Sequence, residues 1–219
     1  MDEPTMAGTL YFSRNPNPRL AVAVARHLAA PVRLEWAAPL APGQAERFLP
    51  LNPSLRLPIL AEPAGSLWEA DAIACRLSQL TGSDFWRSGA GQPDLVRWIS
   101  WSRDHFMRGC DMVHFERGTK PRYRLGTLDE AALAEGLDVF HRSAAVLEAQ
   151  LARRDWLLPG GLSYADFRMA TFLPFNDVAQ LPLADYPALA AWNQRLLALP
   201  AWADPFAGLD APELPPLPA

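Results

Sequence analysis

The chain has 219 residues, of which half are apolar and a fifth are charged, so its composition is that of a globular protein with one or two domains. A net charge of −4, with a single lysine against nineteen arginines, argues against a nucleic-acid partner and against a polybasic membrane tail. The chain has no apolar run of ~18 residues, and it starts with the acidic residues Asp2 and Glu3. It has only two cysteines, which we expect to be reduced thiols. These features predict a cytoplasmic protein with no membrane partner.

Strand-like and helical patterns alternate in the N-terminal part of the chain. They predict, in order, a strand at 9–12, a helix capped by Asn17 with Pro18 at its first position, a strand at 32–36, a short helix that ends near Phe48, strands at Ile59 and near Leu67, and a helix after Glu69. This order of strands and helices resembles that of a thioredoxin-like unit.

The stretch from Asn52 to Leu77 carries the strongest functional signal. Pro58 enters a short apolar run, and a proline pushes the residue before it, Leu57, into extended geometry with its peptide groups free to face outward. Such a bond can be cis. Glu69 and Ala70 lie at the start of the following helix, where free N–H groups attract a carboxylate. Together these features predict a site for a small peptide ligand.

The C-terminal part shows helical patterns and no further strand-like alternation. The predicted features are a linker at 81–91, a helix from Pro93 with one face running through Phe106, a basic loop at 118–126, a capping box at Thr127 and Glu130 before a long amphipathic helix, a second capping box at Ser163 and Asp166, and a closing helix before Trp202. We expect Ser163 and Asp166 to be structural.

Two of these motifs resemble those of the cytosolic glutathione S-transferase family. Asn52-Pro53-x-x-x-Leu57-Pro58-x-Leu60, followed by Leu67-x-Glu69-Ala70-x-Ala72-Ile73, is similar to its glutathione-binding half, and the capping box at Ser163 is similar to that of its central helix. The resemblance covers about Thr9 to Trp202. Leu55 stands where the family usually has glycine, and Ala70 stands where it usually has serine.

The resemblance implies an α+β thioredoxin-like N-terminal domain followed by an all-α C-terminal domain. The expected bounds are 8–82 for the glutathione-binding domain, 92–209 for the helical domain with its second-substrate pocket, and 210–219 for a proline-rich tail. The family also implies a homodimer.

The resemblance further implies a hydrogen-bond donor that stabilises the thiolate of glutathione. In the family this donor follows the first strand, and our first choice is Asn15, through its amide and the helix N-terminus behind it; Ser13 is the second choice. Lowering a thiol pKa by two units needs about 2.7 kcal/mol. The alternative is that Asn15 and Asn17 only shape the turn and cap the helix.

Five residues are expected to hold the glutathione peptide. Leu57 would pair through its main chain with the cysteinyl residue, and Pro58 would set the shape of the chain there. Glu69 would accept a hydrogen bond from the γ-glutamyl amine, and the N–H of Ala70 would donate one to the γ-glutamyl carboxylate. Arg14 would bind the glycyl carboxylate or would simply be solvated. Taken alone, Glu69 is also explained as a charge that is favourable at any helix N-terminus.

Trp101, His105 and Phe106 are candidates for the second-substrate pocket, although Trp101 and Phe106 fit a helix core equally well. The four histidines do not have the spacing of metal ligands, so no metal is expected.

The implied function is detoxification by glutathione transfer, in which bound thiolate attacks a hydrophobic electrophile. Two alternatives stay open: glutathione-dependent reduction of disulfides or peroxides, and a non-catalytic binding or scaffold protein with this fold. Failure to bind glutathione near millimolar concentration would favour the scaffold.

Overall fold

The computed structural model describes residues 6–218, which divide into two compact units. Of the described residues, those up to Trp86 form the first unit together with Pro200–Leu214, and Arg87–Leu199 form the second unit together with the residues from Pro215 onward. The first unit contains a sheet and helices, and the second contains helices, which confirms the predicted fold class.

The first unit is built on a four-stranded mixed sheet. Its strands are β1 (Gly8–Phe12), β2 (Val32–Trp36), β3 (Ile59–Glu62) and β4 (Gly65–Trp68), in the spatial order β2-β1-β3-β4. β1 is parallel to β2 and antiparallel to β3, and β4 is antiparallel to β3. All four strands lie where the sequence predicts them, although only β2 was predicted from alternating apolar residues.

Three helices accompany these strands: α1 (Pro16–His27), α2 (Ala45–Phe48) and α3 (Ala70–Thr81). The predicted start of α1 was wrong by two residues, because Asn15 rather than Asn17 is the N-cap and Pro16 takes the first helical position. Two Asn-Pro pairs follow each other here, and each satisfies the local preference for proline at the first turn.

The first unit is completed by residues from the other end of the chain. The short helix Pro200–Ala203 carries Trp202, which is fully buried. Arg19 of α1 is also buried, donates a hydrogen bond to the carbonyl of Trp202 and lies over its ring. Burial lowers the pKa of Arg19 to about 10. A cation thus anchors a returning segment to α1.

The second unit consists of helices. They are α4 (Gln92–Asp104), α5 (Phe106–His114), α6 (Lys120–Tyr123), α7 (Glu130–Leu151), α8 (Tyr164–Met169), α9 (Asn176–Ala179) and α10 (Pro187–Leu197). The predicted helix through Phe106 is interrupted at His105, whose φ of −127° and ψ of −90° are not helical. None of the described helices is both long enough and apolar enough to cross a bilayer.

Two local predictions in this unit need correction. The cap of α7 is Asp129, whose carboxylate accepts hydrogen bonds from the N–H groups of Ala131 and Ala132, and not Thr127. The expected basic loop at 118–126 is partly helical, because a π-helical turn, Phe115–Thr119, runs directly into α6.

The capping box of α8 is present as predicted. Asp166 is fully buried, and its carboxylate accepts hydrogen bonds from the N–H and hydroxyl of Ser163, from the N–H of Leu157 and from the indole of Trp192, at 2.9–3.0 Å. One side chain therefore ties together three segments of the helical unit.

Candidate functional site

The register of the sheet brings three loop ends to one place. Tyr11 of β1 is opposite Ile59 of β3, and Ile59 is opposite Trp68 of β4. Because both pairings are antiparallel, the residues that follow β1, precede β3 and follow β4 lie at the same edge of the sheet. We call this set, Ser13–Asn15, Leu57–Pro58 and Glu69–Ala70, the binding edge.

Leu57 presents peptide groups at this edge. The Leu57–Pro58 bond is cis, Pro58 is buried, and the Leu57 side chain packs against the cluster formed around Phe48 and Ile59. Within residues 6–218, the structure records no hydrogen bond to the main-chain N–H or C=O of Leu57. Its main-chain groups thus have no recorded partner in the described residues, and their pairing with an extended ligand stays a prediction.

Glu69 and Ala70 form the second part of the binding edge. Glu69 is exposed and has a φ of 74°, a conformation that non-glycine residues adopt at an energetic cost, and it precedes the first residue of α3. Its carbonyl accepts the N–H of Ile73 at 3.0 Å. The first N–H groups of α3 point out of the helix end, so an anionic ligand group is favoured there.

The predicted thiol donors, Asn15 and Ser13, are bonded to each other. The Asn15 amide donates to the Ser13 hydroxyl at 3.2 Å, and the carbonyl of Asn15 accepts the N–H of Arg19. Asn15 makes no side-chain cap to α1. The Asn15 amide therefore donates to a neighbouring residue of the same turn.

Arg14 is engaged by the returning C-terminal segment. Its Nε donates to the carbonyl of Ala211 at 3.0 Å, its Nη2 lies 2.7 Å from a carboxylate oxygen of Glu213, and its guanidinium lies 4.7 Å from the ring centre of Phe206. Sequence reasoning missed these partners because no local pattern links positions so far apart in the chain.

The three candidates for the second-substrate pocket differ in their exposure. Trp101 is half-buried, His105 is exposed, and their ring centres lie 5.1 Å apart. Phe106 is 0% exposed and packs against Phe140 in the core of the helical unit. Phe106 therefore does not present its ring to a ligand in this structure.

The helical unit contains a cavity of about 460 Å³ elsewhere. Its lining includes Glu116, Arg117, Leu128, Asp177, Val178 and Leu217, and includes none of the three predicted pocket residues. The sequence predicts only a basic loop at 118–126 here and does not indicate a cavity. Glu116 and Lys120 lie four positions apart in the sequence, a spacing that favours an ion pair on a helix, and the structure shows this pair at 2.7 Å. This spacing was the available sign that the stretch is helical.

The described residues contain no group of three or more histidine, cysteine, aspartate or glutamate side chains that could hold a metal ion. Cys75 and Cys110 are free thiols, as predicted, and burial raises the pKa of both. A raised pKa disfavours the nucleophilic thiolate, so neither is a candidate nucleophile.

Comparison with known proteins places this geometry in context. Residues 130–195 match the family model described as glutathione S-transferase, C-terminal domain. FtsZ-localized protein A of Caulobacter vibrioides (strain NA1000 / CB15N) is 29% identical to the chain, with 71% of this chain and 72% of that protein covered.

Solved structures share the fold. Glutathione S-transferase-I, bound with lactoylglutathione, matches with a TM-score of 0.80 at 19% identity, covering 91% of this chain and 98% of that one. A possible glutathione S-transferase from Rhodopseudomonas palustris matches with a TM-score of 0.76 at 23% identity, covering 90% and 96%. At these identities the matches establish the fold.

Proposed function

We propose that this chain, which shares the fold of glutathione S-transferases and matches their C-terminal domain model over residues 130–195, is a non-catalytic binding and scaffold protein. Its partner in this proposal is FtsZ. Glutathione transfer, the function first expected from the sequence, becomes the second candidate.

The observation that carries the proposal is that two of the three polar side chains that directly follow β1, Arg14 and Asn15, donate hydrogen bonds to the protein's own groups. The Asn15 amide donates to Ser13, and Arg14 is bound to Ala211 and Glu213. Asn15 is exposed and already donates one of its two amide N–H groups to Ser13, and Ala70 supplies no hydroxyl. Stabilising a thiolate by about 2.7 kcal/mol with these groups is therefore unfavourable.

The choice of partner comes from a relative. The Caulobacter protein, 29% identical over most of both chains, is named for its localisation with FtsZ rather than for a reaction. A shared fold supports many functions, so this likeness motivates an experiment and does not replace one.

The test is co-sedimentation of the full chain with FtsZ assembled in GTP. We expect the chain to pellet with FtsZ polymers and to stay in the supernatant with FtsZ held unassembled in GDP, which is the control. We also expect no conjugation of glutathione to chlorodinitrobenzene above the uncatalysed rate. Equal pelleting in both nucleotides, or none in either, would overturn the scaffold proposal.

Glutathione transfer is retained because of a second observation. The unpaired main chain of Leu57 and the exposed carboxylate of Glu69 lie at the same edge of the sheet, which supports binding of a small peptide. If the chain turns over an electrophile, Asn15→Ala should lower kcat while KM for glutathione is kept, whereas the neighbouring Asn17→Ala should leave both unchanged. Turnover of only hydroperoxides or mixed disulfides would indicate reduction instead.

A further inference from the structure

The cavity of the helical unit has two side chains of opposite charge on one wall. Glu116 and Arg117 both belong to the π-helical turn Phe115–Thr119, and both line the cavity of about 460 Å³. Short π-helical turns occur frequently at functional sites. The volume is that of a pocket for a small molecule. The wall therefore presents one negative and one positive group to an occupant of the cavity.

Glu116 is a carboxylate with one unused oxygen. Its side chain is 5% exposed, and its Oε2 accepts hydrogen bonds from the Asp129 N–H at 2.8 Å and from the Lys120 ammonium at 2.7 Å. These two donors lower the pKa of Glu116, so the carboxylate is ionised. Among residues 6–218 no group donates to its Oε1, which keeps contact with solvent. Oε1 is thus available to a ligand donor.

Arg117 offers the complementary group. Its Nη1 donates to the carbonyls of Ala179 at 2.6 Å and Gln180 at 3.2 Å. In the part of the chain that the structure describes, nothing accepts from its Nε or Nη2. Arg76 uses this same guanidinium edge to hold the Glu62 carboxylate at 2.9–3.1 Å. The free edge of Arg117 therefore matches the two oxygens of a carboxylate.

The rest of the lining is mostly apolar. Its apolar side chains include Leu128, Val178 and Leu217. Leu217 is held in place from nearby, because the carbonyl of Pro215 accepts a hydrogen bond from the Arg122 Nε at 2.7 Å. Asp177 adds an exposed carboxylate for which the described residues provide no hydrogen bond or ion pair.

The walls of the cavity are fixed against each other. A Cβ at Gly118 would lie 3.0 Å from Cγ1 of Val178 and 3.2 Å from Nε2 of His114, so the π-helical turn packs closely on α9. The hydrogen bonds of Arg117 to Ala179 and Gln180 link the same two segments. A pocket that is already formed loses little conformational entropy when a ligand binds.

We propose that this cavity binds a free α-amino acid with an apolar side chain. The carboxylate of the amino acid accepts from Nε and Nη2 of Arg117, its ammonium donates to Oε1 of Glu116, and Asp177 adds negative charge for the ammonium. The side chain packs on the apolar part of the lining. A ligand of one charge would leave a protein charge desolvated and unpaired, whereas a zwitterion matches both.

This site is distinct from the glutathione site. It shares no residue with the binding edge, and it lies within the helical unit. It also contains none of the three residues predicted for the second-substrate pocket. The inference does not rest on the scaffold function.

The experiment is titration of the isotope-labelled full chain with L-leucine, followed by NMR. We expect leucine to shift the amide signals of residues 115–119 and 176–180. Two probes keep the apolar body and lack one charge: 4-methylpentanoate has no ammonium, and 3-methylbutylamine has no carboxylate. Each should bind at least about fivefold more weakly than leucine, because each leaves one protein charge without a partner.

Two substitutions test the assigned groups. Arg117→Lys keeps the charge and removes the two-donor edge, so it should weaken leucine binding about tenfold. Asp177→Asn should weaken it about two- to fivefold. Arg153→Lys and Asp104→Asn are the matched controls, since both residues are exposed and lie outside the lining, and the affinity of each should equal that of the wild type.

A further variant separates this cavity from the binding edge, where an amino-acid group could also bind. Glu69→Gln should leave leucine affinity unchanged. Loss of binding in Glu69→Gln, equal affinities for the three probes, no shifts at about 10 mM leucine, or an unchanged affinity in Arg117→Lys would each overturn the inference. FtsZ co-sedimentation is measured without leucine, so failure here and failure of the scaffold proposal are distinguishable.

Discussion

His114 makes the stability of the helical unit depend on pH. The imidazole is 5% exposed and lies 5.7 Å and 5.3 Å, centre to centre, from the rings of Phe172 and Phe175. Burial and, to a smaller extent, the charge of Arg122 lower its pKa from 6.5 to about 4, although the charge of Asp177 opposes the shift. The neutral imidazole is therefore the form that the folded protein keeps.

The sign of the pH effect follows from this shift. The unfolded chain binds a proton at His114 near pH 6.5, whereas the folded protein does so only near pH 4. The free energy of unfolding should therefore fall as the pH drops through this window, by about 2 kcal/mol between pH 7 and pH 5. Urea unfolding at the two pH values measures the loss.

The control for this prediction is His114→Gln, which removes the titrating group and keeps a polar side chain. Its unfolding free energy should change less between the same pH values, and the remaining slope then comes from carboxyl groups and His27, whose pKa burial also lowers. An unchanged slope in His114→Gln would contradict the prediction.

At the residue scale, Arg14 shows that a residue nominated from the sequence as a ligand contact can have an unexpected partner within the protein. The sequence singles it out for a carboxylate, and the structure places a carboxylate on it, from Glu213. Asn15 similarly lies at the predicted turn, where its amide donates a hydrogen bond to the Ser13 hydroxyl. The roles of both in ligand binding stay predictions.

At the scale of the element, the start of a helix is hard to predict when two nearby residues could each serve as its N-cap. The sequence allows a capping box of Thr127 and Glu130 at the start of α7, and it also allows Asp129, two residues later, as the N-cap. Asp129 wins in the structure because its carboxylate accepts two N–H groups of α7, while its own N–H donates to Glu116 at 2.8 Å. The link to Glu116 is a tertiary contact.

We predict that Asp129→Ala lowers the Tm by about 2–4 °C, as the loss of a cap does in a chain of this size, because the first N–H groups of α7 lose their acceptor. Thr127→Ala is the matched control and should leave the Tm unchanged. Thermal unfolding followed by circular dichroism measures both. If Thr127→Ala lowered the Tm more than Asp129→Ala, the observed start of α7 would be contradicted.

On the scale of the whole molecule, the chain closes its first unit with residues that lie after the helical unit in sequence. Trp202 is among the largest fully buried side chains, and the segment Pro200–Leu214 belongs with the sheet. The first unit therefore depends on the C-terminal segment for part of its core. The homodimer and the cytoplasmic location, in contrast, stay predictions.

Removal of this anchor should destabilise the first unit. We expect Trp202→Ala to cost about 3–5 kcal/mol, the range for truncating a buried aromatic side chain, and to raise amide exchange in β1 and α1. Trp202→Phe keeps most of the buried volume and should cost clearly less. Urea unfolding with hydrogen exchange measures both, and a loss below about 1 kcal/mol in Trp202→Ala would argue against this packing.

The sequence by itself determined the order of strands and helices, the open main chain at Leu57, the position of Glu69 before α3 and the capping box at Asp166. Each of these depends on the periodicity or chemistry of neighbours within a few positions, so local physics is sufficient. The fold class followed from this order of elements together with the family resemblance.

Only the tertiary structure decided which side chains those local features meet. The partner of Arg14 lies 197 positions away, Phe106 is in the core rather than in a pocket, and α7 begins at the cap that reaches Glu116. Such contacts are selected by the packing of distant segments against each other. No pattern of nearby residues encodes them, because the free energy that chooses among them is gained only when the chain is folded.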